Sequence, residues 1–191
     1  MTARLETKRL ILRPIELSDA PAVQRYFPEW EIIRNLSKQV PWPYPDNGAE
    51  WWLQNSVAGP VARGERHVWA ITIRERGDEC IGVVDYSFAD EGLGNRGFWI
   101  ALPFQGKGYM TEAIVAVQDH LFFDLRIDGI RALCAVDNTG SSRIKEKTGG
   151  VLVGETDAAH WSGVDRAEVW EIDGERWRRL RSTDRGGSSS K

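Results

Sequence analysis

From Val68 to Arg74 apolar and polar residues alternate, placing Trp69, Ile71 and Ile73 on one face of an extended segment. A turn at Gly77-Asp78 leads into a second apolar run, Cys80-Ile81-Gly82-Val83-Val84-Asp85-Tyr86, and Glu91-Gly92-Leu93-Gly94 leads into a third, Asn95 to Leu102. Successive strands joined by short turns predict an antiparallel meander. The period then changes. Thr111 to Phe123 carries Ile114, Val117 and Leu121 at helical spacing, and Ile130 to Val136 is strand-like again. Strand, helix and strand predict a βαβ crossover.

Upstream, Arg9-Leu10-Ile11-Leu12-Arg13 closed by Pro14 reads as a strand, and Ser18 as the N-cap of a helix carrying Ala20, Val23 and Phe27. The run Val40-Pro41-Trp42-Pro43-Tyr44-Pro45 excludes a regular helix, and Asp46 is placed to cap the next one, with Ala49, Trp52, Leu53 and Val57 inward. Downstream, Asn138 opens a short helix that ends at Gly149-Gly150, and strands near 151–155 and 167–172 follow. The sum is an α+β domain.

Composition adds limits. A chain of 191 residues with 41% apolar and 28% charged residues fits one globular domain, expected over 1–181, before a polar, flexible tail over 182–191. A net charge of −3 without a large basic surface argues against nucleic acid as the partner. The basic cluster Arg176, Arg178, Arg179 and Arg181 is expected to be a solvated helix end. Two cysteines, Cys80 and Cys134, each within an apolar run, suit a reducing cytoplasm, and no apolar stretch suggests export or a membrane span. His67, His120 and His160 lack metal-ligand spacing, so no metal site is expected.

The chemistry centres on Gln105-Gly106-Lys107-Gly108, between the strand Gly97–Leu102 and the helix that starts near Tyr109. Backbone N–H groups at a helix N-terminus favour an anion, glycines let it approach, and Lys107 adds positive charge. The spacing is that of neither a P-loop nor a dinucleotide fingerprint. Taken alone, Gly-x-Gly before a helix is often only a tight turn.

Three segments together carry more. Gly97-Phe98-Trp99-Ile100 followed by Pro103-Phe104-Gln105-Gly106-Lys107-Gly108-Tyr109-Met110-Thr111-Glu112-Ala113 resembles the acyl-CoA-binding motif of the GNAT superfamily, in the branch similar to RimJ/RimL-type N-acetyltransferases. Thr7 to Pro14 resembles that branch's first strand. Asn138-Thr139-Gly140-Ser141 with Glu146-Lys147-Thr148-Gly149 resembles its helix after the fifth strand. The resemblance spans residues 7 to about 172. It implies a mixed, mostly antiparallel central sheet with flanking helices, in which strands 95–102 and 130–136 splay apart. It also implies acetyl-CoA as co-substrate, its pyrophosphate at Gln105 to Met110, its pantetheine arm along Ile100 and Leu102, and Asn138 in contact with it. A primary amine would be the acceptor, by direct attack in a ternary complex. Because the branch often forms dimers, a homodimer is a candidate assembly.

The same resemblance points to Ser141 as the donor to the leaving thiolate, although a serine there also suits a plain helix N-terminal role. Lys145 stands where many other members carry a tyrosine acid, which closes that route. Asn95 replaces a glutamate often found two residues before Gly97. Asp85, Glu91 and Glu168 are the substitute bases, with Asp85 first. Met110 replaces a small residue and must point away from the pyrophosphate or clash with it, and Gly150 replaces a common aromatic. Trp30, Trp42, Trp51, Trp52 and Trp161 would flank an acceptor groove, whereas Trp52, Trp69 and Trp99 also suit core filling. Alternatives from other classes are a non-catalytic acyl-CoA-binding or sensor domain, motivated by Asn95 and Lys145, and a CoA-free protein-interaction domain, motivated by Met110.

Overall fold

The alternation in β3, Arg66–Ile73, sorts its side chains onto both faces of a sheet. Trp69, Ile71 and Ile73 join Leu10 and Leu12 of β2 (Leu10–Pro14) in one core, and Val68 and Ala70 join a second. A single buried face would have left Val68 and Ala70 in solvent, but helices cover both sides. The structure is a computed structural model and describes residues 1–88 and 94–186. Among the described residues eight strands form one sheet in the order β1-β2-β3-β4-β5-β6-β8-β7. The others are β1 (Leu5–Glu6), β4 (Gly82–Ser87), β5 (Gly94–Ile100), β6 (Gly129–Ala135), β7 (Val151–Asp157) and β8 (Arg166–Asp173). Neighbours are antiparallel except β5 and β6, which are parallel as the crossover requires. The mixed, mostly antiparallel sheet with flanking helices is as expected.

The first core is closed by α5 (Tyr109–Asp119), whose Ala113, Ile114 and Val117 are fully buried against the sheet. The second is closed by α1 (Ala20–Tyr26), α2 (Trp30–Ile33), α3 (Gly48–Trp52) and α4 (Ala58–Ala62), through Val23, Phe27, Ile33, Ala49, Leu53 and Val57. After β6 come α6 (Thr139–Lys147) and, past β8, α7 (Gly174–Gly186). No helix among the described residues is long and apolar enough to cross a membrane.

Several local expectations change. Ser18 is not the N-cap: it lies inside a 3-10 turn, and Asp19 stands at the N-cap of α1. The Asp19 carboxylate also accepts the Glu16 N–H at 2.9 Å and both terminal guanidinium nitrogens of Arg13, work a hydroxyl could not do. Asn47, not Asp46, precedes α3. The basic cluster lies on α7, where Trp177 is 5% exposed and Arg181 pairs with Asp119 at 2.8 Å, so this helix docks on the α5 side rather than hanging in solvent. It runs on to Gly186, which makes 182–186 helical; residues 187–191 of the expected tail lie outside the described residues.

Ile114 is fully buried between α5 and the sheet. Ile114→Ala should cost about 2–5 kcal/mol of unfolding free energy, read as a lowered urea midpoint with an unchanged slope.

Candidate active site

β5 and β6 pair only at Gly94 with Ile130 and Asn95 with Arg131, and then diverge. The fork opens a groove of about 510 Å³ between Gly97, Phe98 and Ile100 on one side and Leu133 and Cys134 on the other. Its lower end is the turn before α5. Gly106 (φ 72°) and Gly108 (φ 77°) take left-handed conformations there, and a Cβ on Gly106 would meet nothing within 4 Å. Tyr109, Met110 and Thr111 of the first turn of α5 line the groove, and the unpaired amides of a helix start are a cradle that fits phosphate oxygens.

Met110 is only 5% exposed and belongs to the first core, so its side chain turns inward and leaves its backbone at the cradle. The clash considered from sequence does not arise. Gln105 lines the groove and donates to the Ile100 carbonyl at 3.1 Å, while Tyr109 lines it beneath the Arg9 guanidinium, 4.5 Å from the ring centre. Two residues expected at the cofactor are placed elsewhere. The Lys107 ammonium donates to the Pro103 carbonyl at 2.8 Å and is not part of the groove lining. Leu102 begins a 3-10 turn and packs on the second core, because the strand ends at Ile100.

The turn is strapped to the N-terminal segment. Arg9 donates to the Lys107 carbonyl at 2.9 Å and to Glu112 at 2.6 Å, and Glu112 also accepts from the Thr7 hydroxyl at 2.6 Å. Desolvation pushes the Glu112 carboxyl up, but the Thr7 hydroxyl and the Arg9 amide and guanidinium outweigh it and hold it below its usual value.

On the far side of the groove, Asn138 is the N-cap of α6 and its side-chain oxygen accepts the Ser141 N–H at 3.1 Å. Capping is thus done by Asn138, and the Ser141 hydroxyl has another partner: Lys145 Nζ donates to it at 2.6 Å. Behind these lies a partly buried polar cluster. Glu168 accepts from Ser142 at 2.6 Å, Trp170 at 2.8 Å and Cys134 at 3.4 Å. Desolvation pushes its carboxyl up, but those donors and the Lys145 charge prevail and hold it below its usual value. Gly150 sits against this cluster. A Cβ there would lie 2.9 Å from the Lys145 carbonyl oxygen and 3.2 Å from the Trp170 ring, so Trp170 fills the space expected of an aromatic at 150.

A second groove, about 680 Å³ and mostly apolar, lies across β5, lined by Phe27, Tyr44, Trp51, Trp52, Val83 and Trp99. It shares Gly97, Phe98 and Trp99 with the first. Asp85 lines it, both carboxylate oxygens bound by the Arg66 guanidinium. Trp52 and Trp99 thus serve both core and groove, Trp69 only the core; Trp42 and Trp161 back the second core, and Trp30 is 40% exposed against Trp42. Glu91 lies outside the described residues. A larger hollow of about 850 Å³ on the other flank of α5 is more open and has no forked strand beside it. No cluster of metal-ligating side chains occurs among the described residues.

Against this geometry, the sequence profile of the acetyltransferase (GNAT) domain matches residues 9–151. The chain belongs to the GNAT acetyltransferase family. An N-acetyltransferase of Bacillus licheniformis, p20, described as uncharacterized, is 26% identical over 142 residues, 73% of this chain and 78% of that protein. The fold is shared with a ribosomal-protein-S5-alanine acetyltransferase from Vibrio fischeri, with a TM-score of 0.78 and 19% identity over 92% of this chain and 98% of that one. It is shared equally with RimL, a ribosomal L7/L12 α-N-protein acetyltransferase in complex with coenzyme A, with a TM-score of 0.77 and 18% identity over 90% and 98% of the two chains. This GNAT domain is an N-acetyltransferase.

The Glu112 strap gives a pH signature. Because its carboxyl is depressed in the fold, its contribution is complete above the unfolded value of about 4.3 and is lost as pH falls through the folded value. Glu112→Gln should lower the Tm near neutral pH and flatten its decline on acidification, as read from melting curves between about pH 3 and about pH 7.

Proposed function

We propose that this GNAT enzyme transfers an acetyl group from acetyl-CoA to a primary amine carried on an apolar body, a small amine or an apolar peptide or protein N-terminus, by direct attack in a ternary complex. The observation that carries this is the meeting of the two grooves at Gly97-Phe98-Trp99, where β5 leaves β6. Acetyl-CoA is a substrate here. Gly106, Gly108, Tyr109 and Met110 would hold its pyrophosphate through backbone amides, and Gln105, Ile100 and Asn138 line the path of its arm. That arm can add hydrogen bonds along the strand edge opened by the fork.

The acceptor groove sorts amines by what they carry. Its aromatic walls favour apolar bodies and can contact a cation through ring faces. Asp85 is the carboxylate within reach, and with Arg66 bound to both oxygens it orients the incoming nitrogen through its remaining lone pairs rather than removing a proton. An α-amine of pKa about 8 is neutral in roughly a tenth of molecules at pH 7, and after attack the cationic nitrogen of the adduct gives its surplus proton to water, leaving one N–H on the amide. Ser141 lines the first groove, and in this reading it gives a proton to the departing sulfur.

The engagement of Asp85 by Arg66 favours one other reading, a domain that binds acyl-CoA without turnover. Two measurements separate them. Saturating acetyl-CoA should raise the Tm, by about 2.7 kcal/mol of stabilisation at a hundred times Kd, and adding arylalkyl or alkyl amines should release CoA thiol, with polyamines poor acceptors. Stabilisation without thiol release over that panel supports the binding domain. Ser141→Ala should lower kcat by about 10²-fold in a protein that still unfolds cooperatively, with a Tm lowered by the loss of the Lys145 partner.

A further inference from the structure

Lys145 is an anomaly of burial. It is 1% exposed on α6, and a buried ammonium is costly unless something requires it. The charged and titratable groups facing it are Arg96 from β5, Cys134 from β6 and Glu168 from β8. Glu168 is already claimed by three donors. Arg96, 2% exposed, donates to Gln118, but its Nε and one terminal nitrogen have no hydrogen-bond partner. Lys145 thus faces a second buried cation as well as one carboxylate, with its Nζ 5.5 Å from the centre of the Phe98 ring. Such a cluster is out of balance unless an anion arrives in front of it.

Between Lys145 and the groove stands Ser141. An ammonium has three donors and no acceptor, so the Ser141 O–H cannot point at Nζ while it receives a hydrogen bond from it. Its hydrogen must aim elsewhere, and Ser141 lines the groove. A neutral amine at Lys145 would accept as well as donate, and this constraint would vanish.

Building on the acyl-transfer reading, we infer that Lys145 is the positioning residue and proton source behind Ser141: its ammonium aims the hydroxyl at the leaving sulfur and replaces the proton that Ser141 gives up. The neutral acceptor amine attacks the thioester carbonyl carbon, the new C–N bond forms, and the C–S bond breaks with its electron pair on sulfur. Sulfur takes the Oγ proton, and Oγ takes a proton from Nζ. The surplus proton on the acceptor nitrogen leaves to water, and once the products depart water in the groove gives a proton to Ser141 Oγ as Oγ passes its own back to Nζ. The products are the amide and CoA thiol, with charge conserved. Lys145 touches neither substrate and acts through Ser141.

Desolvation first, and Arg96 with it, pull the Lys145 pKa below its usual value, against the opposing pull of Cys134 and Glu168. The role requires the charged form, so it is present at low pH and lost as pH rises through the folded pKa, below the free-lysine value of about 10.4. The test is kcat against pH, from about 6 to about 10, for the unaltered protein, S141A, K145Q, K145R and S141A/K145Q, with melting curves for each. In the unaltered protein kcat should decline on the alkaline side. K145Q should lose about 10²-fold in kcat with KM for acetyl-CoA little changed, and the double variant should be no slower than either single one. K145R keeps the charge, so it should recover part of kcat and show no alkaline decline, because an arginine does not titrate in that range. The inference is overturned if K145Q stays within about threefold of the unaltered kcat, if the two losses multiply, or if K145R keeps the alkaline decline. Should K145Q fail to fold, NMR titration of the Lys145 ammonium in the unaltered protein decides: its pKa must coincide with the kcat decline, and a separation above about one unit refutes the role. Acetyl-CoA turnover by the unaltered protein is the control that separates this failure from failure of the acyl-transfer reading.

Discussion

Two parallel strands that pair at only two positions are an expensive arrangement in a covered sheet, since every N–H and C=O beyond the fork must find some other partner. The fork survives because each arm is secured on its outer side. β4 pairs with β5 through six positions, from Gly82 with Ile100 to Ser87 with Asn95, and β8 pairs with β6 through seven. On the inner edge the Gln105 side chain takes the Ile100 carbonyl, and the first groove opens along that gap. Had β5 and β6 zipped fully, Phe98 and Cys134 would face each other across a closed sheet, and the glycine turn would be only a helix start.

The gap also sets the electrostatics behind it. Arg96, Lys145 and Glu168 come from three elements and would not tolerate burial in a continuous apolar core. Here they are lodged where the sheet is thinnest, with Gln118 joining Arg96 to the Thr148 carbonyl and tying α5 to the end of α6. A polar cluster of this kind contributes little to net stability, but it fixes the position of whatever stands in front of it.

Most of the frame was legible because it rests on period. Alternation at Val68–Arg74, helical spacing over Thr111–Phe123 and the glycines around Lys107 each have one simple structural solution. What escaped the sequence depended on packing. Met110 looked obstructive because a string of letters does not say which way a first-turn side chain points; the first core claims it. Lys107 looked like a phosphate ligand by proximity, but a carbonyl four residues back holds its ammonium. Lys145 looked like the loss of an acid, although its i, i+4 spacing from Ser141 already put the two on one helix face. Ser18 reads as a cap from its residue type, whereas the Arg13 fork that holds Asp19 at the N-cap comes from a neighbouring strand.

The strap between Arg9 and Glu112 joins positions 103 residues apart. Contacts of such separation are late events for a growing chain, because the loop between them must be made and gathered before they can close. On a ribosome, the N-terminal strand would therefore emerge and wait while the whole meander and the glycine turn were synthesised. The glycine turn is made from the middle of the chain and finished by its beginning, so a nascent fragment ending before Glu112 carries every glycine of the turn and still lacks the clamp that holds it in place.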